Sequence, residues 1–508
     1  MTDAGPLLLG LDAGNTVIKA VLYDLSGRQL AVSAMDGQSS SPAPGFVERD
    51  MEELWRNAAT VIRRCLQEAE VTPESIAAVG CAGHGNGLYL LDRSGRPALA
   101  VQSLDGRAAE LAAELGAGES GERLHALALQ KPWPSQSATL LAWVKRHRPE
   151  LYAETGTVLF CKDFVTYRLT GRRVSEISDM SAAGLLKLPE AVYDEALLEG
   201  YGLAEAMALL PELVQPQEVV GSITPEAAEQ TGLAAGTPVV GGLFDVVASA
   251  LGSGAVAEGQ ASIIAGTWSI NQVIMRQAVR DPKLFMVSTF GPERMVAIEA
   301  SATSAANLEW YVRELVERGG HHDDPFGHCN ARIGEIEPAA DDPIFHPYLY
   351  GSGRSAAARG GFYGLAGWHG EGHLLRALYE GVVFEHRRHI EVLRAAGLAF
   401  DRAVMSGGGT RSPHWPQMMA DGLATEITVS ESNETGALGA AIAAGVGSGL
   451  FARLEDGVAS MTRERQVYSP DGRLRGHYDH RYRTYLDLVE AMTPFWDSWG
   501  SEAGENSL

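Results

Sequence analysis

With 508 residues, 45% of them hydrophobic and 21% charged, the chain has a globular composition and is too long for one ordinary core, so two domains of roughly 200 to 250 residues are expected. Its formal net charge of −23 tells against nucleic acid or an anionic membrane surface as a partner. The four cysteines, at 65, 81, 161 and 329, show no paired spacing, no leader precedes the first strand and no apolar run reaches membrane length, so a reducing, cytoplasmic setting is expected.

Leu7-Leu8-Leu9-Gly10-Leu11-Asp12-Ala13-Gly14-Asn15-Thr16 reads as an apolar strand, an Asp-x-Gly turn and the start of a second strand through Val17, Ile18, Ala20, Val21 and Leu22. Asp12 sits at that turn. Lys19 follows on the second strand, where a solvated position is the plain alternative to a role in binding. Asp50 with Glu53 predicts a capping box before a helix whose stripe of Leu54, Ala58, Val61, Ile62 and Cys65 faces a core. Ile76 to Cys81 reads as a buried strand leading into Gly83-His84-Gly85-Asn86-Gly87. There the histidine either reaches a ligand or occupies a surface turn. Helices are predicted over 138–148, with Leu140, Leu141 and Val144 inward, and from Lys162-Asp163-Phe164 to Thr170-Gly171.

Near mid-chain the strand-like Pro238-Val239-Val240 precedes Gly241-Gly242-Leu243-Phe244-Asp245-Val246-Val247. An unpaired buried carboxylate is costly, so Asp245 is expected to face a cleft or hold a partner. It is a candidate catalytic acid or base at a strand end, or the N-cap of a helix starting at Val246. Ser262-Ile263-Ile264-Ala265-Gly266-Thr267-Trp268-Ser269 then repeats the N-terminal design about half a chain later. Two such hairpins opening two halves predict a duplicated fold with a nucleotide between them, each turn offering backbone N–H groups to phosphate.

Glu299 to Trp310 reads as strand, turn and helix. His321-His322-Asp323-Asp324-Pro325-Phe326-Gly327-His328-Cys329 has the residue types of a zinc site, but Pro and Gly predict a flexible loop with no helix to fix ligands. Pro347–Gly351 and Gly360–Leu365 flank a loop bearing Arg354 and Arg359, followed by a helix with Leu374, Leu378 and Val382 at i+4. Val404-Met405-Ser406-Gly407-Gly408-Gly409 is a strand running into a triple-glycine turn, which is either a plain link to the helix Trp415–Leu423 or a place where a flat ring meets backbone. Glu434-Thr435-Gly436 caps a helix whose Gly436, Ala440 and Ala444 form a small face for close packing. A terminal helix carries Tyr478, Tyr482, Tyr485 and Leu488, with fraying expected after Trp499.

Taken in order, Asp12-Ala13-Gly14, Pro44-Gly45-Phe46-Val47-Glu48-Arg49-Asp50, Gly83-His84-Gly85, Asp245, Gly266-Thr267, Gly361-Phe362-Tyr363-Gly364 and Ser406-Gly407-Gly408-Gly409 resemble the FGGY family of ATP-dependent carbohydrate kinases, within the actin-like ATPase superfamily. The resemblance covers nearly the whole chain. It implies an α/β fold of two actin-like (ribonuclease H-like) domains with a nucleotide and sugar cleft between them. Residues 1–249 would be the sugar-binding domain, 250–450 the nucleotide-binding domain and 451–508 a helical extension.

The same resemblance implies transfer of the γ-phosphoryl group of ATP to a hydroxyl of a ketopentose or related keto sugar, with Mg2+ and with Asp245 as base. It assigns Asp12, Gly14, Asn15, Thr16, Lys19, Gly266 and Thr267 to the phosphates, Gly407, Gly408 and Ser412 to the adenosine, and Asp12 and Asp245 to the metal, the latter through water. His84, Asp105 and Trp133 join Asp245 as sugar contacts. Ser103 stands where many relatives carry a Trp before Asp105, and Trp133 either supplies the missing aromatic wall or packs in the core. The wording around Asp245 and the run Tyr379–Phe384 is similar to bacterial L-xylulose and 3-keto-L-gulonate kinases, with D-xylulose or another pentulose or polyol as the alternative substrate. A homodimer with no nucleic acid or membrane partner is expected. A different class, an actin-like ATPase or a sugar sensor without turnover, is disfavoured because Asp12 and Asp245 are both present.

Overall fold

Leu7, Leu8, Leu9 and Leu11 are all buried, so strand β1 (Leu7–Ala13) is covered on both faces and lies inside its sheet. β2 (Val17–Tyr23) and β3 (Gln29–Asp36) follow it antiparallel, as the hairpin pattern predicts. β4 (Ile76–Gly83) runs parallel to β1 on its other side. With β5 (Val219–Ser222) and β6 (Pro238–Val240) the order is β5-β6-β4-β1-β2-β3, and the short β7 (Leu243–Phe244) also pairs with β4. The chain is described here from a computed structural model covering residues 5–291, 293–320, 322–353 and 357–505.

Helix α1 (Met51–Ala69) buries the predicted stripe, Cys65 included. Its start differs from the expected capping box. Asp50 accepts from the Glu52 N–H at 2.8 Å, while Glu53 turns to Asn57 and to the buried Arg49, whose charge needs a partner. The 138–148 helix is Ser137–His147. α2 (Cys161–Thr170) stops on Gly171 at φ 75°, α3 (Ile177–Ala182) follows, and α4 (Asp245–Ser253) starts at the mid-chain carboxylate with Phe244 as N-cap.

Packing divides the chain into two units, Met1–Glu258 with Ile274–Ile298 and Glu434–Arg463, and Gly259–Val273 with Glu299–Asn433 and Glu464–Leu508. β8 (Ala261–Ala265) and β9 (Ser269–Met275), within the second unit up to Val273, form the second hairpin. β10 (Arg402–Ser406) lies parallel beside β8, β11 (Glu426–Ser430) parallel beside β10, and β12 (Glu464–Tyr468) antiparallel on β11. The expected strand and helix after the hairpin are Met295–Ser301 and Ala306–Tyr311. The stretch read as a flexible loop is instead the entry to a helix, Pro325–Gly334. Asp324 caps it by accepting from the Gly327 N–H at 2.8 Å, and Pro325 takes the first-turn position that needs no N–H partner. His321 and Arg354 lie outside the described residues. α5 (Glu371–Ala395) buries Leu378 and Val382, and α6 (Trp415–Leu423) follows the triple-glycine turn as predicted.

α7 (Thr435–Gly447) packs with the first unit. Its small residues let backbones meet. A Cβ on Gly10 would collide with the Ala437 carbonyl, one on Gly80 with that of Ala440, and one on Gly252 with that of Thr435. The helix is thereby seated on β1, β4 and α4, the elements that carry the candidate site. α8 (Arg475–Glu505) buries Tyr478, Tyr482 and Tyr485 and continues past Trp499, where fraying was expected. No described helix is long and apolar enough to cross a membrane.

Candidate functional site

The register of three parallel strands builds the centre of the first unit. β1 pairs with β4 so that Asp12 faces Ala82, and β7 pairs with β4 so that Phe244 faces Gly83. One residue further along, β4 gives His84 and β7 gives Asp245. Asp12, His84 and Asp245 therefore issue from the carboxyl ends of adjoining strands, where open α/β sheets place ligands. The turn before β7 requires glycine at 242, whose φ is +80° and whose added Cβ would collide with the Cys81 carbonyl.

Both carboxyls are raised, Asp245 in part by its neighbour Asp12. Burial and then the neighbouring Asp12 raise the Asp245 carboxyl from its ordinary 3.8 to about 8, against the Val246 N–H. Burial raises Asp12 to about 6, with Lys19 opposing and Glu434 adding. Lys19 lies opposite Asp12 on the hairpin and pairs with Glu434 at 2.7 Å, so it is held in a charged network rather than left in solvent. Asp12 Oδ1 is buried without a hydrogen-bond partner, as expected of an atom whose partner is a ligand.

The hairpin turns differ from expectation in one respect. Gly14 donates its N–H to the Val17 carbonyl at 3.0 Å, and Gly266 donates to Trp268 at 3.3 Å. Both groups close their own turns and are not free for phosphate. Asn15 has a buried Oδ1 without a partner, its amide donating to Ser103 Oγ at 2.9 Å, and Thr16 and Thr267 are exposed at the two turns.

His84, a ligand contact or a surface turn by sequence, is buried. Its Nε2 meets the Tyr89 hydroxyl at 2.9 Å, its N–H donates to the Ala13 carbonyl at 3.1 Å, and Nδ1 has no partner. Burial, then the Arg49 guanidinium, lower the imidazole to about 3, so the ring is neutral. Trp133 packs on Phe285 with ring centroids 5.4 Å apart and keeps a buried, unpartnered Nε1. Asp105, expected to accept sugar hydroxyls, is instead fully engaged. Oδ1 accepts from the Arg107 backbone at 2.8 Å and Nε at 2.9 Å, and Oδ2 accepts from the Val47 N–H at 2.5 Å and Arg107 at 2.9 Å.

Behind Asp245 lies a group of charges that the pattern of apolar runs did not single out. Lys162, Asp163, Glu176 and Asp179 are all buried, with Lys162 Nζ at 2.5 Å from Asp163, 3.3 Å from Asp179 and 3.8 Å from Glu176. Burial disfavours the ammonium charge, and the three carboxylates overcome it. The signal in the sequence was the Lys162-Asp163 pair in the first turn of a helix.

In the second unit Gly407, at φ +90°, lies so close to the hairpin that an added Cβ would sit 2.8 Å from the Ala265 carbonyl, whereas Gly408 borders open space. Ser412 is not free for a ribose. Its hydroxyl donates to Asn330 Oδ1 at 2.8 Å and accepts from the N–H groups of His414 and Trp415 at 3.2 and 3.4 Å, starting α6. Asn330 also takes the Tyr379 hydroxyl at 3.1 Å, and Tyr379 stacks on Trp415 at 4.2 Å. The helix Pro325–Gly334 brings Asn330 there, which a flexible loop over 321–329 does not predict.

Residues 7–252 match the N-terminal domain, and 261–448 the C-terminal domain, of the FGGY family of carbohydrate kinases. The chain is 36% identical to L-xylulose/3-keto-L-gulonate kinase of Escherichia coli (strain K12), with 96% of this chain and 97% of that protein covered. It is 34% identical to the probable L-xylulose kinase of Pasteurella multocida (strain Pm70), covering 95% and 98%. Among solved structures, the xylulose kinase from Rhodospirillum rubrum matches with a TM-score of 0.85 at 30% identity, covering 97% of this chain and all of that one. The α/β fold of two actin-like domains is common to that structure and this chain.

Proposed function

The chain belongs to the FGGY family of carbohydrate kinases, phosphotransferases acting on a sugar, and from that premise we propose that it moves the γ-phosphoryl group of ATP to a hydroxyl of a keto sugar of the L-xylulose or 3-keto-L-gulonate kind. The observation that carries this reading is the pair Asp12 and Asp245, on strands flanking β4, with Asp245 held at about 8. Asp245 is the base. A sugar hydroxyl is a weak nucleophile at neutral pH, and a carboxylate within reach takes its proton as the new O–P bond forms and the bond to the ADP oxygen breaks. Such help is worth roughly 10² to 10⁴ in rate.

The unpartnered Oδ1 of Asp12 and the carboxylate of Asp245 are hard oxygen donors that fit Mg2+. Among the described residues no three His, Cys, Asp or Glu side chains converge as a metal site, so nucleotide oxygens and water would complete the shell. When bound, the cation supplies neutralising charge to the phosphates. Asn15 and Thr16 of the first hairpin and Thr267 of the second are assigned to phosphate, and Gly407 and Gly408 to the adenosine. His84 and Trp133, each with a buried unpartnered nitrogen, are assigned to the sugar. Asp105 supports that site through Arg107.

The sugar class follows the two L-xylulose-type relatives. D-xylulose is the second reading, favoured by the likeness to the Rhodospirillum rubrum xylulose kinase. ADP release with MgATP across L-xylulose, 3-keto-L-gulonate, D-xylulose, D-ribulose and glycerol, with wild type and Asp245→Asn, tests both. Turnover of an L-xylulose-type sugar, lost in the variant, is the expected result. Preference for D-xylulose selects the second reading, and basal ATP hydrolysis alone, unchanged by the substitution, overturns the kinase assignment.

A further inference from the structure

Strand register brings Asp245 to the centre of the first unit, but it does not by itself fix the carboxylate. β7 is two residues long and follows Gly241 and Gly242, the most pliable pair of residues near the site. Backbone carbonyls take the two glycine N–H groups, Glu218 that of Gly241 and Pro216 that of Gly242, each at 3.0 Å, and the residue before the carboxylate is held by a side chain. The Phe244 N–H, one peptide before Asp245, donates to Ser178 Oγ at 3.1 Å.

Ser178 is itself held on every side. Its hydroxyl donates to Glu176 Oε2 at 2.6 Å and its N–H to Glu176 Oε1 at 2.8 Å, so the lone pair left on Oγ is turned to Phe244. Its carbonyl accepts from Ser288 Oγ at 2.8 Å and Ser181 Oγ at 3.0 Å. Glu176 is anchored by the Lys162 ammonium. The next residue, Asp179, has an oxygen 2.9 Å from where a Cβ on Gly85 would stand, and the same Cβ would collide with the Phe244 ring. Further along α3, Ser181 offers its carbonyl to Gln130 Nε2 at 2.6 Å, three residues from Trp133. The base, the His84 turn and the Trp133 segment thus all lean on the six residues of α3, all of them buried.

We propose that Ser178 is a positioning residue for phosphoryl transfer: its hydroxyl, oriented by Glu176 and through it by Lys162, fixes the peptide before Asp245 and so aims the catalytic carboxylate. This rests on the reading of Asp245 as the base. Without the hydroxyl, the Phe244 N–H is left buried and unpaired, and the carboxylate gains freedom of a few tenths of an ångström to an ångström, enough to cost about 10- to 100-fold in rate.

The test compares wild type, Ser178→Ala, Ser178→Thr and Asp245→Asn with L-xylulose and MgATP, together with amide hydrogen exchange of the peptide spanning Gly241–Val246 in the absence of sugar. Expected for Ser178→Ala are a kcat lower by about 10- to 100-fold, KM values for both substrates within about twofold, a melting temperature lower only by the few degrees that one unpaired buried N–H costs and faster exchange at Phe244. Ser178→Thr, which keeps the hydroxyl, recovers most of the rate. Should either variant fail to fold, the near-isosteric Ser178→Cys takes its place in the same comparison. The proposal is overturned if Ser178→Ala keeps the wild-type kcat, if exchange at Phe244 is unchanged, or if kcat falls only with global stability and threonine does no better than alanine. If Asp245→Asn retains full activity, the base assignment fails instead. If wild type leaves L-xylulose untouched, the sugar assignment fails, and the exchange data still decide on Ser178.

Discussion

Gly436, in the first turn of α7, lies against the carboxylate of Asp12, so closely that a Cβ at 436 would overlap Oδ2. On helix propensity alone, Gly436→Ala would stabilise the helix by about 0.5 to 1 kcal/mol. The clash opposes that gain and falls on the group assigned to the metal and nucleotide. Gly436→Ala is therefore expected to raise the KM for ATP by on the order of tenfold or more, with the sugar KM little changed. Urea unfolding is expected to place its stability within about 2 kcal/mol of wild type. Steady-state kinetics at varied Mg2+ and ATP check this, and an unchanged ATP KM would separate Asp12 from nucleotide binding.

The pKa of Asp245 gives opposite pH trends for activity and stability. A base must be ionised to take a proton, so kcat/KM is expected to rise with pH and level off above about 8, the value for this carboxyl in the free protein. Raised Mg2+ shifts that limb to lower pH by offsetting the charge of Asp12. For stability the sign reverses. The folded-state value lies above the ordinary 3.8, so the folded chain binds this proton more tightly than the unfolded chain. The contribution is fully present below about pH 4 and is lost as pH rises through about 8. Asp245→Asn is expected to flatten that decline and to melt higher than wild type at pH 8 while losing turnover. Thermal melts of both proteins from pH 5 to pH 9 check it.

The parts of this fold that were legible in the sequence are those set by local pattern. The two hairpins, the strand into Gly407 and the helix after it, and the small face of α7 all follow from periodicity and glycine placement within a few residues. Asp245 stood out because a carboxylate among apolar residues needs a reason. What the sequence concealed was how polar groups are already used. Ser412 meets Asn330 from a helix read as a loop, Asp105 meets the Val47 N–H, and Lys19 meets Glu434 from the far end of the chain. Such partners depend on tertiary packing, which no local spacing encodes. The same holds for Gly14 and Gly266, whose N–H groups a turn motif offers to phosphate and whose turns use them internally.

Asp105 and Arg107 form a buried pair in which one residue holds the other. Asp105→Asn removes the charge that balances a guanidinium buried beneath Phe46, 4.1 Å from that ring centre. Breaking a buried pair from one side costs about 3 to 5 kcal/mol, and the remaining partner of Arg107, Glu48 at 2.8 Å, places the expected loss at about 3 kcal/mol. Urea denaturation measures it. If Asp105 acts as a scaffold, the protein that remains folded keeps a sugar KM within a few-fold of wild type. A sugar KM raised a hundredfold at full stability would return Asp105 to the substrate.

Tyr89 sets which nitrogen of His84 carries the proton. Its hydroxyl meets Nε2 at 2.9 Å, and its oxygen also interacts with the Arg49 guanidinium and the Cys161 thiol; with the guanidinium as a donor to that oxygen, the hydroxyl is assigned as the donor to the histidine. Nε2 is then the acceptor, and the neutral ring must carry its hydrogen on Nδ1, the buried nitrogen with no partner in the protein. His84 on this account presents a donor to a sugar oxygen. Nitrogen-15 spectra of histidine-labelled protein without ligand are expected to show the Nδ1–H tautomer for His84, with the signal identified by His84→Gln. Tyr89→Phe removes the hydrogen that holds Nε2 as an acceptor, so the tautomer preference relaxes. An unpaired buried donor or acceptor costs about 1 to 3 kcal/mol, so the sugar KM is expected to rise about tenfold or more while the ATP KM stays put. An Nε2–H signal in wild type would reverse the donor assignment and with it the kind of sugar oxygen that His84 faces.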